Sequence, residues 1–183
     1  MAELLEKIPL EKCWAITAET LTRFVVSRIL KTSTPFLGKD DGIFSLLSGW
    51  DKETEIKEKV YSEGGSKMFP FTKEMFNIPV EDAVGAAKLT IVTGVLLEGP
   101  EFIPEIVEAT PERVVLRWIK CPFWERYKEF EANPELIPCD VGHQAWCGEG
   151  LKAINPKITY KLTKSMPWGD SFCEDVYEFK EEE

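Results

Sequence analysis

Cys139, His143 and Cys147 are spaced four residues apart in the run CDVGHQAWCGEGLKAIN, residues 139–155. On a helix this spacing stacks the three side chains on one face, at i, i+4 and i+8. His143 is the chain's single histidine, and it stands between two of five cysteines. Such side chains can do three things. A thiol with a base one helical turn away can act as a nucleophile, and Cys139 is the better placed thiol, because the start of a helix favours a thiolate. Asp140 beside it opposes that charge, whereas Cys147, well inside the helix, gains no help. A second use is metal binding: Cys139, His143 and Cys147 with Cys173 or Cys121 would supply soft ligands for zinc or iron. No C-x-x-C pair occurs in the chain, so the strongest zinc spacing is missing and no cofactor is favoured. The third use is plain packing, since cysteine is among the most buried residue types.

Further candidates flank this run. Cys121-Pro122 falls where a strand passes into a helix, a junction that either faces a cleft or closes a strand end. Gly169-Asp170 precedes Cys173 by a few residues; Asp170 either serves acid and base chemistry or bonds its own backbone in a turn. Trp146 and Trp168 could line an apolar pocket with Cys121. The candidate catalytic set is therefore Cys139, His143 and Asp170, and the candidate ligand-binding set is Cys121, Trp146 and Trp168.

The elements that must position these residues follow from periodicity. Residues 1–10 read as a short helix, and Leu21, Phe24, Val25 and Ile29 form a helical stripe after an N-cap at Thr17. Residues 39–49 read as a loop with one helical turn. From Asp51 a charged helix runs to Gly64-Gly65, which should terminate it. The Phe- and Met-rich stretch SKMFPFTKEMFNIP then reads as a loop, either a clasp on the core or a lid. Residues 80–97 are apolar around most of a helical circumference, with Glu81 and Asp82 at the positive end of the dipole and Gly99-Pro100 as the stop, which predicts a buried central helix. Residues 101–120 switch to a period of two and predict a hairpin turning at 109–112, with Pro104 marking an edge strand. Pro122 opens a helix broken at Asn133-Pro134, the focal helix spans about 138–154, and residues 157–180 form a second hairpin.

Two hairpins joined by helices most simply make an α+β domain, one four-stranded antiparallel sheet covered by helices, including those of the N-terminal region. At 183 residues we expect a single domain over 1–183, with a helical region at 1–79 and an α+β core at 80–180. The net charge of -10 and the lack of a Lys/Arg cluster argue against nucleic acid as a partner. No apolar run reaches the roughly 20 residues needed to span a bilayer, and the acidic start lacks a secretory signal, so the expectation is a cytoplasmic protein with reduced thiols and no membrane partner. A small molecule is the expected partner, and self-association into a homo-oligomer stays open.

Over residues 80–179 the chain resembles the L-2-amino-thiazoline-4-carboxylic acid hydrolase-like family. The resemblance is carried by Glu108-x-Thr110 before a strand ending in Cys121-Pro122, by Cys139 at a helix start, by Asn155-Pro156-Lys157-Ile158 at its end, and by Gly169-Asp170-x-x-Cys173 before a strand ending in Glu178-Phe179. It implies a small-molecule hydrolase that opens a C–N or C–S bond of a cyclic substrate. Cys121, Cys139 and Cys173 would be family positions, with Asp170 available for acid and base work; the role of His143 rests on spacing alone. The closing Gly169-Asp170-x-x-Cys173 also resembles the end of the 4-vinyl reductase domain, a non-catalytic small-molecule or metal-binding module. Its zinc-binding members carry a further Cys and a Glu before the last Cys, and residues 163–172 contain neither. Hydrolase and binding module both remain open at this point.

Overall fold

The focal helix, α4 (Val141–Lys152), and the long helix α1 (Trp50–Phe76) pack against each other through glycines. A Cβ on Gly65 would lie 2.1 Å from the Trp146 carbonyl oxygen, and one on Gly64 2.5 Å from the Trp146 ring. Across the contact, a Cβ on Gly150 would lie 2.5 Å from the Phe69 ring. Glycine on each helix thus lets the other's aromatic approach the backbone. This corrects the reading of Gly64-Gly65 as a stop: α1 runs through both glycines and through Pro70, and the expected Phe/Met-rich loop, clasp or lid is helix. A proline inside a helix costs roughly 3 kcal/mol. Burying Phe69, fully enclosed and seated on Gly150 of α4, offsets that cost by keeping α1 against α4. The computed structural model describes residues 50–129 and 139–180. The helices expected at 1–10 and after Thr17, the loop at 39–49, the break at Asn133-Pro134 and the acidic tail lie outside the described residues.

The central helix, expected over 80–97, forms as α2 (Ala83–Glu98), opening three residues later. Asp82 is its N-cap and accepts the Gly85 N–H at 2.8 Å, and Gly99 closes it at φ 93°, a left-handed value suited to glycine. The Ala83 N–H, which has no partner within the helix, donates to the Pro111 carbonyl at 2.8 Å. That bond ties α2 to the first hairpin, β1 (Ile103–Ala109) and β2 (Arg113–Lys120). Thr110 closes the hairpin by accepting the Arg113 N–H on its Oγ1.

Short helix α3 (Pro122–Glu129) follows, then α4, β3 (Ile158–Lys164), a 3-10 turn at Met166–Trp168, and β4 (Cys173–Phe179). The four strands make one antiparallel sheet in the order β1-β2-β4-β3. The α+β architecture is therefore the expected one, two hairpins joined through β2 and β4 and packed against helices. Pro104 is on the edge strand β1, which carries two register shifts. At the other edge, the Leu162 N–H of β3 donates to the side-chain oxygen of Gln144 on α4, at 2.9 Å.

Period-two alternation sets the inward face. Val114, Leu116 and Trp118 of β2 pair with Tyr177, Asp175 and Cys173 of β4, and Leu162 of β3 flanks Asp175 on the other side. Leu89, Ile91, Leu96 and Phe102 pack in the same buried cluster as Leu116 and Trp118. Among the described residues, no helix is long and apolar enough to cross a membrane.

Candidate functional site

Asp175 is a carboxylate in the middle of this apolar face. Its neighbours on the alternation are Cys173 and Tyr177, so β4 geometry places it inward, and it has no exposed surface. Such a group requires hydrogen-bond donors to be tolerated. Trp118 Nε1 donates to Oδ2 at 2.8 Å, Tyr160 OH donates to Oδ1 at 2.6 Å, and Tyr177 OH donates to Oδ2 at 3.2 Å. The indole can only donate, which fixes Oδ2 toward β2. Oδ1 then faces α4, where His143 Nε2 lies 3.5 Å away.

His143 is reached from both layers. Its ring stacks at a tilt on Tyr160, centroids 5.9 Å apart, and Tyr160 in turn meets Tyr177 at 5.5 Å. On its own helix, Cys147 Sγ is 3.7 Å from Nε2, as the i, i+4 spacing predicts. The imidazole keeps 27% of its surface exposed, and among the described residues Nδ1 has no partner. The site is therefore a buried acid with a half-buried base above it, whose second nitrogen is open.

The electrostatics follow. Burial opposes a charge on His143, but Cys147 and Asp175 beside it together hold its pKa well above the usual imidazole value. Cys147 helps only as a thiolate, and burial pushes its own pKa up. The Asp175 carboxylate is the second partner of the ring. Tyr160 and Tyr177 are driven well above the usual phenol value by burial and by the Asp175 charge, and stay neutral donors. Burial also raises Cys173, against the Met166 N–H that its Sγ accepts at 3.4 Å.

Several expected residues fall elsewhere. The helix starts later than about 138, because Asp140 serves as N-cap, its carboxylate taking the Val141 N–H and its carbonyl the Gln144 N–H. Cys139 consequently precedes the helix instead of standing one turn below His143, and the thiol facing that ring is Cys147. Asp170 is exposed and closes a turn, its carboxylate accepting the Ser165 N–H at 2.9 Å while Gly169 adopts φ 98°. The acid beside His143 is Asp175. Trp146 is used in helix packing, edge-on to Tyr61 and Phe69. Trp168 is 53% exposed on the 3-10 turn, and Cys121 is buried where β2 passes into α3. An open groove of about 880 Å³ beside Pro70, Lys73, Ile78, Val80 and Ile154 has none of the three in its lining.

Among the described residues, no group of three or more His, Cys, Asp and Glu side chains is placed to hold a metal ion. The zinc or iron site drawn on Cys139, His143, Cys147 and Cys173 is not assembled, since Cys139 is off the helix face and Cys173 bonds the 3-10 turn. Asp175, Tyr160, Tyr177 and Trp118 escaped the sequence reading. The signal was present: period two puts position 175 inward between Cys173 and Tyr177, and a carboxylate there is anomalous.

The geometry also limits nucleophilic chemistry. A thiol–imidazole–carboxylate relay uses both ring nitrogens, one for the nucleophile and one for the acid. Here Cys147 and Asp175 both face Nε2, so the relay is not formed.

No protein-family model matches the chain, and no curated protein matches it significantly. Among solved structures, it is similar to the phenol-responsive sensory domain of the transcription activator PoxR with phenol, at 11% identity and TM-score 0.48, over 72% of this chain and 66% of that one. It thus spans just under two thirds of that domain. It is also similar to a trafficking protein particle complex subunit 3 from Naegleria fowleri covalently bound to palmitic acid, at 12% identity and TM-score 0.45, over 91% of this chain and 96% of the other. At these scores the likeness adds nothing to the chemistry of the site.

Proposed function

We propose that this chain is a small-molecule-binding module whose ligand is recognised at the polar hub under the first turn of α4, by His143 with Asp175 and Tyr160 around it. The observation that carries this reading is Asp175, wholly buried yet surrounded by Trp118, Tyr160, Tyr177 and His143. Packing alone does not call for it, since replacing a buried ion pair by apolar residues of similar volume is often neutral or stabilising. A perturbed imidazole with an open Nδ1 is the kind of group that binding and proton-transfer sites use. The open donor suits an acceptor or an anionic group on a small polar ligand.

The finer reading is hydrolysis, as the resemblance to thiazoline-carboxylate hydrolases implies. In it, water adds to the ring carbon, the C–N or C–S bond breaks, His143 gives a proton to the leaving atom, and the water proton returns to the imidazole. Asp175 faces the ring in both states and stabilises its imidazolium form before donation and after the water proton returns, and Cys147 forms no covalent bond. A panel of 2-aminothiazoline-4-carboxylate and other small cyclic amidines and carboxylates, read by thermal shift and by product formation, tests both levels. Ligand stabilisation that disappears in His143→Gln supports the site. Turnover lost in His143→Gln and kept in Cys147→Ala supports hydrolysis by acid–base chemistry. Equal stabilisation of wild type and His143→Gln overturns the site, and a covalent adduct on Cys147 overturns the hydrolytic route.

A further inference from the structure

Three neutral donors converge on Asp175 before His143 is counted. Trp118 and Tyr177 share Oδ2, and Tyr160 takes Oδ1 at 2.6 Å, the shortest of the three bonds. His143 Nε2 is left 3.5 Å from that same Oδ1, outside the 2.7–3.2 Å of an ordinary N–H···O bond. One oxygen thus has two claimants, and the neutral one is closer. Charge alone would order them the other way, because a bond between an imidazolium and a carboxylate is the shorter and stronger kind.

The two layers explain the order. Tyr160 stands on β3 directly opposite Tyr177 of β4, so the sheet that carries Asp175 also fixes where the Tyr160 hydroxyl lands. His143 comes from the helical layer, and the place of α4 is set by its contacts with α1, Trp146 on Gly64 and Gly65 and Gly150 on Phe69. The Tyr160 ring also meets the imidazole at a tilt, centroids 5.9 Å apart, and so spaces it from the sheet. The titratable groups facing His143 are Cys147 on its own helix, Tyr160 on β3, and Asp175 with Cys173 on β4. The Tyr160 hydroxyl reaches the two nearest acids, Asp175 and Cys147, while the Cys173 sulfur is engaged by the Met166 N–H.

We propose that Tyr160 is the positioning residue of the site: its hydroxyl occupies the carboxylate oxygen that His143 would otherwise close on, so the imidazole keeps a proton it can pass to a ligand. Tyr160 acts through His143 and Asp175 and needs no contact with a reacting atom. The idea rests on the ligand site proposed above, but its test uses no ligand, so either can fail without the other.

The experiment is an NMR titration of the single histidine ring in the full-length protein, in wild type, Tyr160→Phe and Tyr177→Phe, with urea unfolding of each. Tyr160→Phe removes one oxygen and keeps the ring beside His143. With Oδ1 released, the imidazolium becomes its main donor, and the proton affinity of His143 should rise by about threefold to tenfold, the size of one hydrogen bond. Tyr177→Phe takes a longer bond from Oδ2, which keeps Trp118, and should raise it by less than about twofold. A tyrosine with a merely structural role would lower the unfolding midpoint without moving the titration. A His143 proton affinity that is unchanged or lower in Tyr160→Phe, or that rises as much in Tyr177→Phe, would overturn the assignment.

Discussion

Replacing Asp175 by Asn tests the electrostatic core of the site with a side chain of the same shape. At 3.5 Å, an ion pair is worth about 5 kcal/mol at an effective dielectric of 20 and about 1 kcal/mol in bulk water. With Asp175 wholly buried but His143 partly in solvent, the net loss expected is about 2 kcal/mol, below the 3–5 kcal/mol typical of breaking a wholly buried pair. The amide cannot reproduce the carboxylate. Trp118 Nε1 needs an acceptor, so the Asn oxygen turns toward it and the NH2 group faces Tyr160 and His143. A donor opposite Nε2 favours the neutral imidazole. The His143 pKa should therefore drop from well above the usual value, since burial is then opposed by Cys147 alone. Because the chain has a single histidine, its ring proton resonance can be followed by NMR without assignment. The stability consequence has a fixed sign. A raised folded-state pKa contributes stability that is complete below the unfolded value near 6.5 and is lost as pH rises through the folded value. Urea unfolding of wild type and Asp175→Asn should thus differ by about 2 kcal/mol at pH 6, with the gap closing at higher pH. A wild-type His143 that titrates near 6.5, or one that Asp175→Asn leaves unmoved, would refute the pairing.

Other perturbations separate packing from chemistry. Gly65→Ala drives a Cβ into the Trp146 carbonyl, and overpacking of this sort costs about 1–3 kcal/mol or more, visible as a lower urea midpoint. Asp82→Ala removes the α2 cap and should cost about 1 kcal/mol with no effect on His143 titration. Trp168→Ala, on an exposed turn, should change stability by less than about 0.5 kcal/mol and leave ligand-induced thermal shifts intact.

Much of the framework was legible because it is local. The period-two segments, the edge proline Pro104 and the Gly99 stop each follow from one element's own residues, and the structure has them where the sequence predicts, while Asp82, expected inside the first turn of α2, caps it instead. The errors arise where a distant element decides. Gly64-Gly65 reads as a helix end by propensity, yet Trp146, some 80 positions later in the chain, turns the same two glycines into a docking surface for a continuing helix. Position 139 looked like a helix start because three residue types repeat at four-residue spacing, while Asp140 and its cap set the boundary. At the site, His143 and Cys147 were visible from helical spacing. Asp175 required taking strand alternation literally for a charged residue, and its partners come from three strands whose pairing only the fold supplies.

The contact between Gln144 and Leu162 has a consequence for solubility. A sheet with a free border can recruit foreign strands, and proteins protect their borders to prevent it. Here one border is interrupted by Pro104 and two register shifts, while on the other the Leu162 amide is covered by the Gln144 side chain of α4. Gln144→Ala should leave that amide uncovered, and storage of the variant at high concentration should favour strand-mediated clumping at the β3 border.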